Sequence, residues 1–253
     1  MIPYRDDNPT LAKPVVTFLI IAANVAVWVL VQGMGSEPLL SKSVCELGLI
    51  PGELLGRLPD GYSIPMTSSS TCVITGERSW FTPLTSMFLH GGWFHLIGNM
   101  WFLWVFGNNV EDSMGRVRYL VFYLLCGLAA AASQTLVNPG SAVPMVGASG
   151  AISGVMGAYI VLYPRVRVHM LVFLGIFITR IVVPAYLMLG YWFLLQIIGG
   201  GLARGEGGVA FWAHAGGFVT GALLIYVFRD PELVNRHRAI SRTVEGLGYR
   251  ESR

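Results

Sequence analysis

The chain has 253 residues, 54% of them hydrophobic and only 12% charged, with a mean hydropathy of +0.60. Soluble domains carry about 25% charged residues, so this composition excludes an ordinary soluble domain and points to a polytopic membrane protein. The net charge of +3 is too small, and the cations too scattered, to indicate a nucleic-acid partner.

Residues 1–14 are polar and mixed in charge and read as a cytosolic N-terminal tail. The apolar run Val15 to Val31 is too long for a typical signal-peptide core, and no small-residue cleavage site follows it, so it reads as a retained span. A helix needs about 20 mostly apolar residues to cross a bilayer. Six segments come close: roughly 15–33, 84–108, 119–137, 147–163, 184–200 and 209–228, none of which contains Asp or Glu. The expected fold is an all-α polytopic bundle of six transmembrane helices with a long first extracytoplasmic loop, about 34–83. That loop carries Pro51, Pro59 and Pro65 and a polar run at Thr67–Thr71, and it is expected to fold partly on the membrane surface. Cys45 and Cys72 both lie in it. They are either a pair on an oxidising face or two free thiols; spacing alone gives no geometry. Cys126 falls in the third segment as a packing residue. Met170 to Val183 is broken by Arg180 and stopped by Pro184, which suits an interfacial or re-entrant piece better than a crossing. From Arg229 the chain is polar again, and 229–253 reads as a cytosolic tail.

Lys and Arg orient this arrangement. With six spans, one side holds Arg5, Lys13, Arg116, Arg118, Arg165, Arg167, Arg180, Arg229, Arg236, Arg238, Arg242, Arg250 and Arg253. The other keeps Lys42, Arg57, Arg78 and Arg204. Thirteen of the 17 Lys and Arg on one side is a positive-inside signal that places both termini in the cytosol. The fourth and sixth segments then both start from outside.

Chemistry-bearing residues cluster at those outer starts. Ser149 lies in Gly147-Ala148-Ser149-Gly150, where a tight backbone and a helix start offer free N–H donors beside a serine hydroxyl. His214 lies in Ala213-His214-Ala215-Gly216-Gly217, about five residues into the sixth segment, or ~8 Å at 1.5 Å per residue. Gly217 and Gly221 share its helix face. Gly150, Ser153, Gly154 and Gly157 make a matching small face on the fourth segment, so the two backbones are expected to approach closely. A serine needs a base to accept its proton, and this approach would supply one. His95 and Asn99 are four apart and share a face of the second segment, with His90 just before. His90, His95 and His214 make a poor zinc set, because there is no His-Glu-x-x-His, no carboxylate and no nearby cysteine. A Ser-His-Asp triad would need a carboxylate at this depth, and there is none. The expectation is a Ser-His dyad oriented by packing and backbone contacts.

On these motifs the chain resembles the rhomboid family of intramembrane serine proteases. The carriers are Gly147-Ala148-Ser149-Gly150, the His90…His95…Asn99 spacing and Ala213-His214-Ala215-Gly216-Gly217, in order on the second, fourth and sixth segments of a core spanning 15–228. The resemblance implies Ser149 as nucleophile and His214 as general base. It implies an oxyanion hole from the Ser149 N–H, His95 and Asn99, with His90, Gly147 and Gly150 in support. It implies a lateral opening bordered by the second and fifth spans, membrane-protein substrates cleaved near their outer boundary, and no cofactor or metal. Family members often carry Trp-Arg eight or nine residues before the first histidine; here those positions are Phe81 and Thr82. Some place an aromatic residue four after the nucleophile, stacked on the catalytic histidine; here it is Ser153. His214 is therefore expected to be held by Phe211 or Trp212. The expected location is the plasma (inner) membrane of a bacterium. The alternatives are a non-catalytic relative that binds or escorts membrane proteins, and a small-molecule channel or transporter.

Overall fold

The computed structural model describes residues 2–68, 70–75, 79–175, 177–202 and 210–240. Arg78, Arg204, Arg242, Arg250 and Arg253 of the charge count lie outside these residues, as does the tail beyond 240. Six long helices dominate: α1 (Val15–Leu30), α2 (Trp93–Met114), α3 (Arg116–Val137), α4 (Ser149–Leu162), α5 (Ala185–Leu202) and α6 (Phe211–Phe228). Helices α3, α5 and α6 are long and apolar enough to cross a membrane, and α1 and α4 are shorter apolar helices.

Helix α2 departs from the expected 84–108. It starts at Trp93, because Gly92 is fully extended and the preceding residues form only the short turns Thr82–Thr85 and Ser86–Phe88. It also runs on to Met114, taking Glu111 and Asp112 into a buried helix end. Both carboxylates are satisfied there. Glu111 accepts from the Val16 and Thr17 N–H groups at 3.0 and 2.8 Å and from the Thr17 hydroxyl at 2.8 Å. It thereby caps the otherwise uncapped start of α1, where an anion is favoured by unpaired donors and the helix dipole. Asp112 accepts from the Leu11 and Ala12 N–H groups at 2.7 and 3.1 Å.

The chain is mostly helical but not all-α. Its strands are β1 (Ile2–Asp6), β2 (Ser63–Pro65), β3 (Thr71–Val73), β4 (Arg167–Leu174) and β5 (Phe177–Pro184). They form a β2–β3 ladder in the first loop and an antiparallel sheet in the order β1-β4-β5. The segment expected to be interfacial or re-entrant is therefore a hairpin. Its period is two: Val168, Met170 and Val172 are buried on one face, and its second strand is β-branched in five of its eight residues, Ile178, Thr179, Ile181, Val182 and Val183. The N-terminal tail is not loose. Strand β1 pairs with β4, the Asp6 carboxylate accepts from the Tyr159 hydroxyl of α4, and Asp7 takes Arg167 Nε at 2.9 Å and His169 Nε2 at 2.7 Å. A terminal helical stretch over 231–240 joins the same face, where His237 Nε2 meets the Pro9 carbonyl at 2.8 Å.

In the first loop, Cys45 and Cys72 are joined as a disulfide, and Cys72 packs with Ile50 and Ile74 in a small core. The loop is tied to the segment before α4 by a two-way backbone bridge between Leu49 and Met145 (3.0 and 2.7 Å).

Helix α4 is the hub, buried along nearly its whole length. Against α6 it makes a backbone-to-backbone contact that only glycine permits. A Cβ on Gly217 would lie 2.1 Å from the Gly150 carbonyl oxygen, one on Gly221 1.9 Å from that of Gly154, and one on Gly157 2.0 Å from that of Phe218. Helix α5 is the opposite case. Leu187, Tyr191, Leu194, Leu195 and Ile198 are all exposed, so one broad face of it has no cover among the described residues.

Two tests follow from this packing. Gly221→Ala should lower stability by at least ~2 kcal/mol, in the range of an overpacked core, read as thermal unfolding in detergent, whereas Gly190→Ala on α5, where a Cβ meets nothing within 4 Å, should leave it unchanged or raised. A wild-type response at Gly221 would contradict the close contact. Burial raises the Asp6 carboxyl to about 6, offset in part by the Tyr159 hydroxyl and raised further by Asp7. An acid raised in the fold favours the native state when protonated, so stability is lost as pH rises from about 4 through 6. The wild-type midpoint should fall relative to that of Asp6→Asn across that window; parallel curves would count against it.

Candidate active site

Ser149 is the first residue of α4, and His214 lies one turn into α6. The glycine contact sets these two helix starts side by side. Ser149 Oγ lies 2.8 Å from His214 Nε2, within reach for proton transfer. On the other side of the ring, His214 Nδ1 lies 2.8 Å from Gln196 Oε1 of α5. The Trp192 indole, one turn earlier on α5, leans over the imidazole with centroids 5.8 Å apart at 39°.

The expectation that Phe211 or Trp212 holds His214 is corrected by this arrangement. Phe211 lies over Gly199 and Trp212 over Gly200, so both clamp α6 to α5 and neither grips the imidazole. Packing and backbone alone do not orient the ring either; a side-chain amide does. Sequence reasoning passed over Gln196 and Trp192. The signal was present, since Gln196 is a lone amide inside a charge-free apolar run, where a polar group calls for a partner. Ser153 donates its hydroxyl to the Ser149 carbonyl on its own helix, so it leaves the His214 ring face open to Trp192.

His95 and Asn99 approach Ser149 from α2. The Gly91 N–H donates to His95 Nδ1 at 3.3 Å, which leaves Nε2 as the protonated nitrogen of the neutral ring. A Cβ on Gly147 would lie 2.8 Å from His95 Nε2 and 3.4 Å from Ser149 Oγ, so a donor and the serine oxygen flank one spot. Gly147 is needed there twice over, because its φ is +130° and there is no room for a side chain. Its own N–H donates to the Ser86 carbonyl at 2.9 Å. Asn99 is buried, and among the described residues its Nδ2 has no acceptor. It shares a cavity of about 220 Å³ with His95, Ser149, Trp192 and His214. The Ser149 N–H sits in the first turn of α4, where no helical carbonyl reaches it.

His90 stands behind this set. Its ring is fully buried and meets His95 edge-on, with centroids 5.2 Å apart at 71°. Its backbone is clasped by Gln32 after α1: the amide donates to the His90 carbonyl and accepts the His90 N–H, both at 2.8 Å. Gly150 packs on Ala130 and carries the carbonyl that Gly217 approaches. A larger cavity of about 790 Å³ opens over Ser149 and His214, walled in part by His95, Gln134, Met145 and Trp212. Gln134 of α3 also accepts the Ala213 N–H at 3.2 Å, bracing the start of α6. Among the described residues no three His, Cys, Asp or Glu side chains gather as metal ligands. The site thus combines a hydroxyl, a base at bonding distance, and the His95 donor beside the hydroxyl, with Asn99 on the same cavity. That set suits acyl transfer.

The chain is similar to known proteins over this region. The family profile described as Rhomboid domain matches residues 77–231. Rhomboid protease GluP of Bacillus subtilis is 33% identical over 125 residues, covering 49% of this chain and 24% of that one. The chloroplastic Rhomboid-like protein 11 of Arabidopsis thaliana is 41% identical over 76 residues, 30% of this chain and 27% of its own length. RHOMBOID-like protein 4 of the same plant is 31% identical over 156 residues, 61% and 35% respectively. The shared stretch thus spans about a quarter to a third of the length of these relatives.

Gly147→Ala should cut labelling of Ser149 by a fluorophosphonate at least ~10-fold, since it displaces a donor whose loss alone is worth about 100-fold in comparable sites. Labelling at the wild-type rate would mean that His95 and Gly147 do not shape this spot.

Proposed function

Because the chain belongs to the rhomboid family, we propose that it is an intramembrane serine endopeptidase. It cleaves transmembrane segments of other membrane proteins near the extracytoplasmic face by a Ser149–His214 dyad. The observation that carries this reading is the 2.8 Å contact from Ser149 Oγ to His214 Nε2, with His95 Nε2 beside the serine oxygen and Asn99 on the same small cavity.

Ser149 attacks the scissile carbonyl as His214 takes its proton. The negative charge that forms on the carbonyl oxygen is met by the Ser149 N–H, His95 Nε2–H and Asn99 Nδ2, donors that are already in place and need no reorganisation. His214 then protonates the departing amine. Water from the large cavity, activated by His214, releases the acyl group from Ser149. No cofactor is needed. A helical substrate hides its carbonyls in hydrogen bonds, so segments with Gly or other poor helix formers unwind more readily at the site.

The orientation is part of the proposal: six spans, with both termini in the cytosol. It is supported by the positive-inside count and by the sheet. Strand β1 pairs with β4, and His237 reaches Pro9, so the N-terminal strap, the hairpin after α4 and the stretch after α6 share one face. An even number of crossings requires this. In a bacterium that face would look into the cytosol from the plasma membrane. The reading as a binding or escort factor has no observation in its favour, since serine and histidine are both present and in contact.

In proteoliposomes holding a model single-span substrate, Ser149→Ala should abolish cleavage without loss of expression, and Asn99→Ala should lower kcat about 100-fold. Cleavage retained by Ser149→Ala would reject the nucleophile.

A further inference from the structure

The geometry points to Gln196 as a positioning residue of the dyad: its side-chain amide, pinned by its own helix, holds His214 in the one tautomer whose Nε2 can accept the Ser149 proton. The inference rests on the protease reading above and adds a third member to it.

An amide carries a donor end and an acceptor end, and which end faces a neighbour is settled by the hydrogen bonds of the other. Here the far end is settled. Gln196 Nε2 donates to the Trp192 carbonyl, one turn back on α5, at 3.3 Å. The reversed amide would set two acceptor oxygens against each other at that distance. Oε1 therefore faces His214 Nδ1 at 2.8 Å. An amide oxygen only accepts, so Nδ1 must carry the hydrogen. In a neutral imidazole that leaves the lone pair on Nε2, which points at Ser149 Oγ, also at 2.8 Å. The relay has one direction: Ser149 hydroxyl to Nε2, Nδ1–H to Gln196, Gln196 NH2 to the α5 backbone.

This is the task a carboxylate performs in a Ser-His-Asp triad. A charge at this depth in an apolar bundle would be costly, and a backbone-anchored amide performs it while neutral. Gln196 is 8% exposed, so the bond is sheltered from competing water. It is not among the residues lining the two cavities at the dyad, so it touches no substrate and acts through His214 alone. Trp192, at i−4 on the same helix, covers the ring face. The loosely covered helix α5 thus presents both groups that hold the imidazole.

The test pairs kinetics with a direct view of the tautomer. Nitrogen-15 NMR of histidine-labelled protein at neutral pH should show His214 with Nδ1 protonated and Nε2 bare in the wild type, and a mixed or reversed pattern in Gln196→Leu. In proteoliposomes, Gln196→Leu should lose roughly 10–100-fold in kcat, the range for removing a residue that orients a functional histidine, with KM changed less than about twofold. Gln196→Glu, which as a neutral carboxyl keeps both the acceptor oxygen and a donor toward the Trp192 carbonyl, should restore most of kcat. A wild-type His214 protonated on Nε2 would overturn the inference without any variant. So would unchanged kcat in Gln196→Leu, or a joint loss of kcat and thermal midpoint that Gln196→Glu does not restore. Absence of Ser149-dependent cleavage in the wild type would strike the protease reading instead, and the tautomer would still decide the role of Gln196.

Discussion

Helices α4 and α6 approach until the carbonyls of one lie against the α-carbons of the other, and every other part of the site depends on that distance. In lipid, apolar side chains gain little by leaving the acyl chains for one another, so helices associate through close packing and hydrogen bonds. Gly150, Gly154 and Gly157 on α4 and Gly217 and Gly221 on α6 remove the side chains that would keep the backbones apart. Serine has the shortest side chain that carries a hydroxyl. Only because the backbones nearly touch does Ser149 Oγ come within a hydrogen bond of the His214 ring. A methyl group anywhere along this seam would act on the chemistry as directly as a change in the dyad.

Carboxylates hold the end of the molecule away from the site: Glu111 and Asp112 close the start of α1 and the strap before it, and Asp7 gathers Arg167 and His169 on the sheet. Around Ser149 every group is neutral: two imidazoles, the amides of Asn99 and Gln196, a hydroxyl and backbone N–H donors. Neutral dipoles fixed by packing are the affordable way to do acyl chemistry in an apolar surround. Each imidazole has its tautomer set from outside: His95 by the Gly91 N–H, which claims Nδ1 as an acceptor, and His214 by Gln196, which claims Nδ1 as a donor. The two rings therefore present opposite faces to Ser149, His95 an N–H and His214 a lone pair. One is suited to stabilise an oxyanion and the other to take a proton.

Much of this could be read from the sequence, and the rest fails for physical reasons. Long apolar runs and their glycines located five of the six long helices to within a few residues, because in such a composition length and small-residue spacing dominate all else. Ser149 and His214 were visible as costly groups in cheap surroundings. The segment at 170–183 was read only as apolar, and its period of two, with Val168, Met170 and Val172 inward, was lost behind Arg180 and Pro184. The expected start of α2 falls too early because Leu84, Met87, Phe88 and Leu89 are apolar, although Gly91 and Gly92 interrupt the helix before Trp93. The disulfide between Cys45 and Cys72 needed coordinates, since spacing carries no geometry. Gln196 is hard to single out in the sequence because a triad implies a carboxylate, while the ring needs only an acceptor.

The measurement that bears most directly on the account is the site of attachment of a fluorophosphonate on the purified protein in detergent, mapped by mass spectrometry and repeated on His214→Ala. The account predicts one adduct, on Ser149, that disappears when His214 is removed, because a serine hydroxyl at this site reacts only while the imidazole draws off its proton. An adduct on another residue, or labelling of Ser149 that proceeds undiminished without His214, would contradict it.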